Sequence, residues 1–145
     1  MATQRLDAAL AARLNREYPA GSSTYQAIFD ACSVAIAAGW MCDREAKGIR
    51  YGRVIEAGPE THGFSVDVVD MKDCAGPHHV HPQGEIDLVM PLEGPAVFDG
   101  QGAGWKVYGP ASEHFPTVSG GRALVLYLLP DGAIKFTGRQ PSERQ

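Results

Sequence analysis

The sequence predicts a mainly β protein, two helices followed by a sandwich or barrel of short strands. Three observations carry this reading. Apolar residues recur at helical spacing only as far as Trp40. From Gly48 onward they alternate or cluster in short runs. Proline and glycine then punctuate the chain about every eight to twelve residues, which favours antiparallel strands over a parallel sheet crossed by helices.

The first helix follows from Leu6, Ala9, Leu10, Arg13, Leu14 and Glu17, which give it a narrow apolar stripe, and Pro19-Ala20-Gly21 ends it. Ser22 or Ser23 can cap a second helix by accepting a bond from an unpaired backbone N–H. That helix carries Tyr25, Ile28, Phe29, Cys32, Ile36 and Trp40 on one side and stops near Gly39. Its broader stripe implies tighter packing, as core or as a dimer contact. Strands are expected at 49–56, 64–71, 85–92, 94–100, 104–108 and 123–129. The last of these is almost wholly apolar, as in a strand covered on both faces. Asp131-Gly132 reads as a hairpin turn into a strand at 133–137. The whole amounts to one domain: a helical N-terminal extension over 1–42, a barrel over 48–137 and a polar, frayed tail over 138–145.

Of 145 residues, 44% are hydrophobic and 21% charged, ordinary values for a soluble globular chain. A net charge of -4 and a pI near 5.7 exclude the basic face that nucleic acid demands. No apolar run approaches the ~18 residues that would span a bilayer. The opening residues lack the basic-then-apolar pattern of a signal peptide. Cys32, Cys42 and Cys74 form no CxxC pair, so reduced thiols in a cytoplasmic protein are expected.

The chemistry concentrates in Gly76-Pro77-His78-His79-Val80-His81-Pro82-Gln83-Gly84-Glu85 and in Pro110-Ala111-Ser112-Glu113-His114. On a strand, alternate side chains share a face, so His79 and His81 look the same way and His78 looks the other. Glu85 follows a Pro-Gln-Gly corner that can turn its carboxylate toward the same point. Two imidazoles and a carboxylate, with a further imidazole to complete the set, suit a borderline divalent metal. Solvated loop histidines are the alternative, and His62, in a Pro-Glu-Thr-His-Gly turn, is read that way.

His79-Val80-His81-Pro82-Gln83-Gly84-Glu85 resembles the first cupin motif, HxHxxxE. Pro110-Ala111-Ser112-Glu113-His114 resembles the second, PxGxxH, with Ser112 where glycine is usual. Gly94 stands late for the glycine that closes the first motif, and Pro91 interrupts the strand before it. Over residues 49–137 the resemblance implies a cupin-type double-stranded β-helix, a jelly-roll barrel, here preceded by two N-terminal α-helices. It also implies one divalent transition metal (Fe, Mn, Co, Ni or Zn) held by His79, His81, Glu85 and His114. Four protein ligands leave open positions on a five- or six-coordinate ion, which favours Fe, Mn, Co or Ni over a closed tetrahedral zinc.

The two-helix preface together with both motifs is similar to a small family of bacterial 4-hydroxylaminobenzoate lyases. That similarity implies conversion of 4-hydroxylaminobenzoate to 3,4-dihydroxybenzoate (protocatechuate) with release of ammonia, a reaction of nitroaromatic degradation. Glu113 would then serve as acid or base, with a surface carboxylate as the alternative. The small aromatic carboxylate substrate calls for an arginine. Arg53, on the same strand face as Tyr51, Ile49 and Ile55, is the candidate, and Tyr51, Trp105 and Tyr127 are candidate pocket walls. A homodimer is expected, with neither nucleic acid nor membrane as partner. Two other functions fit the same motifs: a non-heme metal dioxygenase and a non-catalytic cupin that binds a small carboxylate. Retention of all four ligand positions argues against the last.

Overall fold

The computed structural model describes residues 5–46 and 48–139. Of the tail expected over 138–145, residues 140–145 lie outside the described residues.

Helix α1 (Ala8–Glu17) begins at Asp7, whose side chain accepts the Leu10 N–H at 3.0 Å. Helix α2 (Ser23–Ala37) is capped by Ser22, which accepts the Tyr25 N–H at 3.3 Å. Beyond its last turn, Gly39 takes φ +87°, the left-handed conformation that lets a chain leave a helix without a Cβ clash.

Among the described residues ten strands follow: β1 (Arg44–Ala46), β2 (Ile49–Ile55), β3 (Phe64–Ala75), β4 (His79–His81), β5 (Glu85–Glu93), β6 (Val97–Phe98), β7 (Gly104–Tyr108), β8 (Ser112–His114), β9 (Thr117–Pro130) and β10 (Lys135–Phe136). The larger sheet runs β1-β2-β3-β9-β5-β7 with β6 beside β9, and the smaller runs β10-β4-β8. Every pairing is antiparallel. This is the mainly β, cupin-type architecture expected, with its two helices in front.

The strands differ from expectation in three places. β3 and β9 run longer than the apolar stretches that announced them, because each has a partner along most of its length. β5 continues through Pro91, and the interruption appears as a register shift between Pro91 and Glu93. The Asp131-Gly132 turn forms, with both residues at positive φ, yet the strand after it does not fold back on β9. β10 crosses to the smaller sheet and pairs with β4, setting Phe136 opposite His79.

Period-two alternation gives the larger sheet two different faces. One carries Val68, Ile86, Leu88, Met90, Leu124 and Leu126, buried against Leu10, Tyr25, Cys32 and Ala35 of the helices. Fully burying such an aliphatic side chain stabilises by roughly 1.5–3 kcal/mol, so this face is what anchors α1 and α2. The other face holds Met71, Val89, Val125, Tyr127 and Leu129, packed with Phe98 and Val118. Register places Arg53 opposite Asp67, Asp67 opposite Tyr127, Tyr127 opposite Asp87 and Asp87 opposite Lys106. A polar row therefore crosses this inner face, one residue pair away from Glu85.

Candidate metal centre

The smaller sheet sets His79 opposite His114 and His81 opposite Ser112, so three imidazoles leave one face of β4 and β8 together. Glu85, the first residue of β5, approaches them from the larger sheet. The result is a group of four ligand atoms within 4.8 Å of one another. His79 Nε2 lies 2.9 Å from His81 Nε2 and 3.1 Å from His114 Nε2. Glu85 Oε1 lies 3.3 Å from His81 Nε2 and 3.9 Å from His79 Nε2. His79, His81 and Glu85 are essentially buried.

The outer nitrogens explain the orientation of two of these rings. Ser112 Oγ donates to the Gly109 carbonyl at 2.6 Å, so it meets His81 Nδ1, 2.9 Å away, as an acceptor. Asp99 Oδ2 stands 2.5 Å from His114 Nδ1 and also accepts the Tyr108 hydroxyl, while Asp99 Oδ1 takes the Thr117 N–H at 3.0 Å. With their protons on Nδ1, His81 and His114 both aim Nε2 lone pairs inward. Lone pairs this close repel unless a cation or proton lies between them. Glu85 sharpens the point, because both its oxygens are buried with no hydrogen-bond donor. These residues fit a divalent ion, which would satisfy all four donors at once.

Electrostatics prepares the same state. Burial, reinforced by the neighbouring His114, pushes His79 down to about 4, with the Pro77 carbonyl pulling weakly the other way. Burial and then His79 push His81 down to about 3. Both rings are therefore neutral at physiological pH, the ligand form. Burial raises Glu85. Burial and the charge of Glu85 raise Asp87 well above the usual carboxylate range. Asp87 sits two residues along β5 on the same face, fully buried, and neither of its oxygens meets a donor. The contact between the two carboxyls becomes a hydrogen bond only when one holds a proton. Burial opposes ionisation of Asp99, yet the bonds from His114 and Tyr108 hold it below its ordinary value.

A cleft of about 670 Å³ opens beside this centre. Its walls include His79, Tyr51, Arg53, Asp67, Tyr127 and Phe136, so the expected Arg53, Tyr51 and Tyr127 share one space with a ligand residue. Arg53 does not hold a free fork there. Its Nε donates to Asp67 Oδ1 at 3.0 Å, Nη2 to the Gly132 carbonyl at 3.1 Å, and Nη1 reaches Glu56 Oε1 at 3.5 Å.

Two expectations are corrected. Trp105 belongs to the cluster under the helices: it pairs with Leu88 on the outer face, and its Nε1 donates to the Tyr18 carbonyl at 3.0 Å. Its backbone N–H also donates to Asn15 Oδ1 at 2.7 Å, so it anchors α1 rather than walling the cleft. Glu113 pairs with Val80 on the side of the small sheet away from the ligands. Its Oε1 lies 2.9 Å from His78 Nε2 and 3.9 Å from Arg139 Nη1. His78 thus points away from the other three histidines as expected, yet it is buried, and its Nδ1 is 2.8 Å from Thr137 Oγ1.

Asp87 and Asp99 are site residues that the sequence reading passed over. Asp87 was signalled by its position two residues after Glu85 in a strand, and Asp99 was hidden in what reads as an Asp-Gly turn.

A family model described as PnbB, 4-hydroxylaminobenzoate lyase, matches residues 1–136. A 4-hydroxylaminobenzoate lyase of Pseudomonas putida is 35% identical over 140 residues, covering 85% of this chain and 80% of the relative. One from Nocardioides sp. (strain LMS-CY) is 34% identical over 139 residues, covering 90% and 82%. Among solved structures, an RmlC-like cupin protein from Ralstonia eutropha JMP134 superposes with a TM-score of 0.43 at 12% identity, covering 59% of this chain and 57% of its own. With nearly the whole chain matched and a third of its residues shared with two curated enzymes, this protein belongs to the 4-hydroxylaminobenzoate lyase family.

Proposed function

We propose that the protein is a metal-dependent 4-hydroxylaminobenzoate lyase, in which substrate and one water become protocatechuate and ammonia. The observation that carries metal dependence is the spacing of the donors. Four donor atoms within 4.8 Å of one another, two imidazole pairs among them at 2.9 and 3.1 Å, are close enough to share one ion. Four protein ligands would leave open positions on a five- or six-coordinate ion such as Fe, Mn, Co or Ni, unlike a closed tetrahedral zinc. Bound there, the ion would supply Lewis acidity toward the hydroxylamino oxygen.

The chain's own residues do the rest. Tyr51, Tyr127 and Phe136 offer aromatic walls to a flat ring beside His79. Ser112 and Asp99 hold His81 and His114 in the ligand tautomer. Asp87 backs Glu85 from within the barrel, and a proton on either carboxyl would turn their contact into a hydrogen bond.

The test is ammonia release from 4-hydroxylaminobenzoate with dioxygen excluded and a chelator control. Chelator-sensitive ammonia with protocatechuate is the expected result. Ammonia that survives verified metal removal would end the metal reading, and turnover that requires dioxygen would favour the dioxygenase instead.

A further inference from the structure

The cleft beside His79 contains two arginines in very different situations. Arg53 is spanned by Asp67, Glu56 and the Gly132 carbonyl, so two carboxylates already face its charge and each of its three nitrogens donates one bond. Arg44 stands on β1, directly opposite Tyr51 in register, and so faces the same side of the sheet as Tyr51. It lines the same cleft as His79, Tyr51 and Tyr127. Among the described residues it makes no hydrogen bond or ion pair.

The charges around it make this position consequential. The acids on the cleft wall are Asp43, Glu56 and Asp67, and the cations are Arg44 and Arg53. Glu56 and Asp67 are turned to Arg53. Asp43 is directed at Gly52, where an added Cβ would meet its Oδ1 at 3.4 Å. With Arg44 the wall has two cations against three acids, and without it one against three, so Arg44 is the cation there that no carboxylate already holds. Its exposed, planar guanidinium lines the same aromatic-walled space as His79, and such a fork is the shape that a carboxylate accepts bidentately.

We propose that Arg44, rather than Arg53, selects for a carboxylate on the aromatic substrate, binding it at the β1 wall while the rest of the ring extends toward His79. This rests on the lyase reading for the substrate's identity, but not for the existence of an aryl-carboxylate site. Arg53, locked to Asp67, shapes the wall beside it.

The experiment uses the full metal-loaded chain, its Arg44→Ala and Arg44→Lys variants, and three compounds. These are 4-hydroxylaminobenzoate, hydroxylaminobenzene (which lacks the carboxylate) and unreactive 4-nitrobenzoate as a calorimetric probe. Loss of a charge-assisted bond predicts that Arg44→Ala raises KM for 4-hydroxylaminobenzoate about tenfold or more with kcat nearly unchanged. 4-Nitrobenzoate should weaken by a similar factor, turnover of hydroxylaminobenzene should stay at the wild-type level, and Arg44→Lys should recover part of the loss. Equal damage to both substrates would assign Arg44 a structural role and overturn the proposal. So would unaltered 4-nitrobenzoate affinity in Arg44→Ala, or no binding of this probe by the wild type. A wild type that binds 4-nitrobenzoate through Arg44 but releases no ammonia would sink the lyase reading and leave the carboxylate site standing.

Discussion

His114 Nδ1 lies 2.5 Å from Asp99 Oδ2, and the same oxygen accepts the Tyr108 hydroxyl. Asp99 itself sits at φ +48°, a conformation that asparagine tolerates well. Asp99→Asn should therefore keep the turn and lose the charge that orients His114. Outer partners of this kind typically account for 10–100-fold in metal affinity, so a loss of about that size is expected in competition against a chromophoric chelator. Unchanged affinity would mean that the β8 backbone alone orients the ring.

His81 is the ligand with the least freedom, fully buried and fixed by Ser112. His81→Ala should bring bound metal well below one equivalent and abolish ammonia release, with the far-ultraviolet circular dichroism retained. A variant that stays active with no metal bound would remove His81 from the ligand set.

Protons compete with metal here in a definite direction. In metal-free protein, His79 and His81 are pushed down to about 4 and about 3. The unfolded chain, with histidines near ~6.5, binds more protons between those values, so these two rings make stability rise with pH across that window. Their effect is flat above it, and it weakens the fold progressively as pH falls from about 6.5 toward 3. Burial of Glu85 and Asp87 acts with the opposite sign, and it is common to wild type and a His81→Gln variant. The stability difference between those two proteins, from urea midpoints with metal removed, should therefore shift against the wild type on acidification. A difference that is constant from pH 7 to pH 4 would contradict the burial argument.

Trp105 and Glu113 should separate stability from catalysis. Trp105→Ala removes a buried ring under the helices and should cost about 3–5 kcal/mol of stability while leaving metal stoichiometry unchanged. Glu113→Gln, on the far side of β4 from the ligands, should leave kcat unchanged in the ammonia assay. A large fall in kcat would return Glu113 to the reaction.

The grouping of His79, His81, Glu85 and His114 was legible because most of its geometry is local. His79 and His81 share a strand face by period two alone, and one corner turns Glu85 in. Only His114 needed the tertiary fold, and its motif announced it. The inner face of β2 was legible for the same reason, as Tyr51 and Arg53 both reached the cleft. Trp105 was not legible, since whether a tryptophan on an alternating strand faces barrel or helices depends on where α1 docks. Asn15 and Tyr18, distant in sequence, decide it. The engagement of Arg53 was equally hidden, because Asp67 and Gly132 reach it only through strand register and a distant turn. β10 defeated the hairpin expectation for a comparable reason: a local turn signal says where the chain reverses but not which sheet receives it.

The crossing of β10 to β4 has a consequence for assembly. The His78 N–H donates to the Arg139 carbonyl, and the Thr137 N–H to the His78 carbonyl, so one edge of the ligand strand is sealed by the 135–139 segment. A chain in which the HxHxxxE stretch and His114 have come together but residues 135–139 have not docked still lacks the strap that braces His79. Ordered metal capture is therefore expected to follow closure of that strap during folding rather than the meeting of the ligands alone.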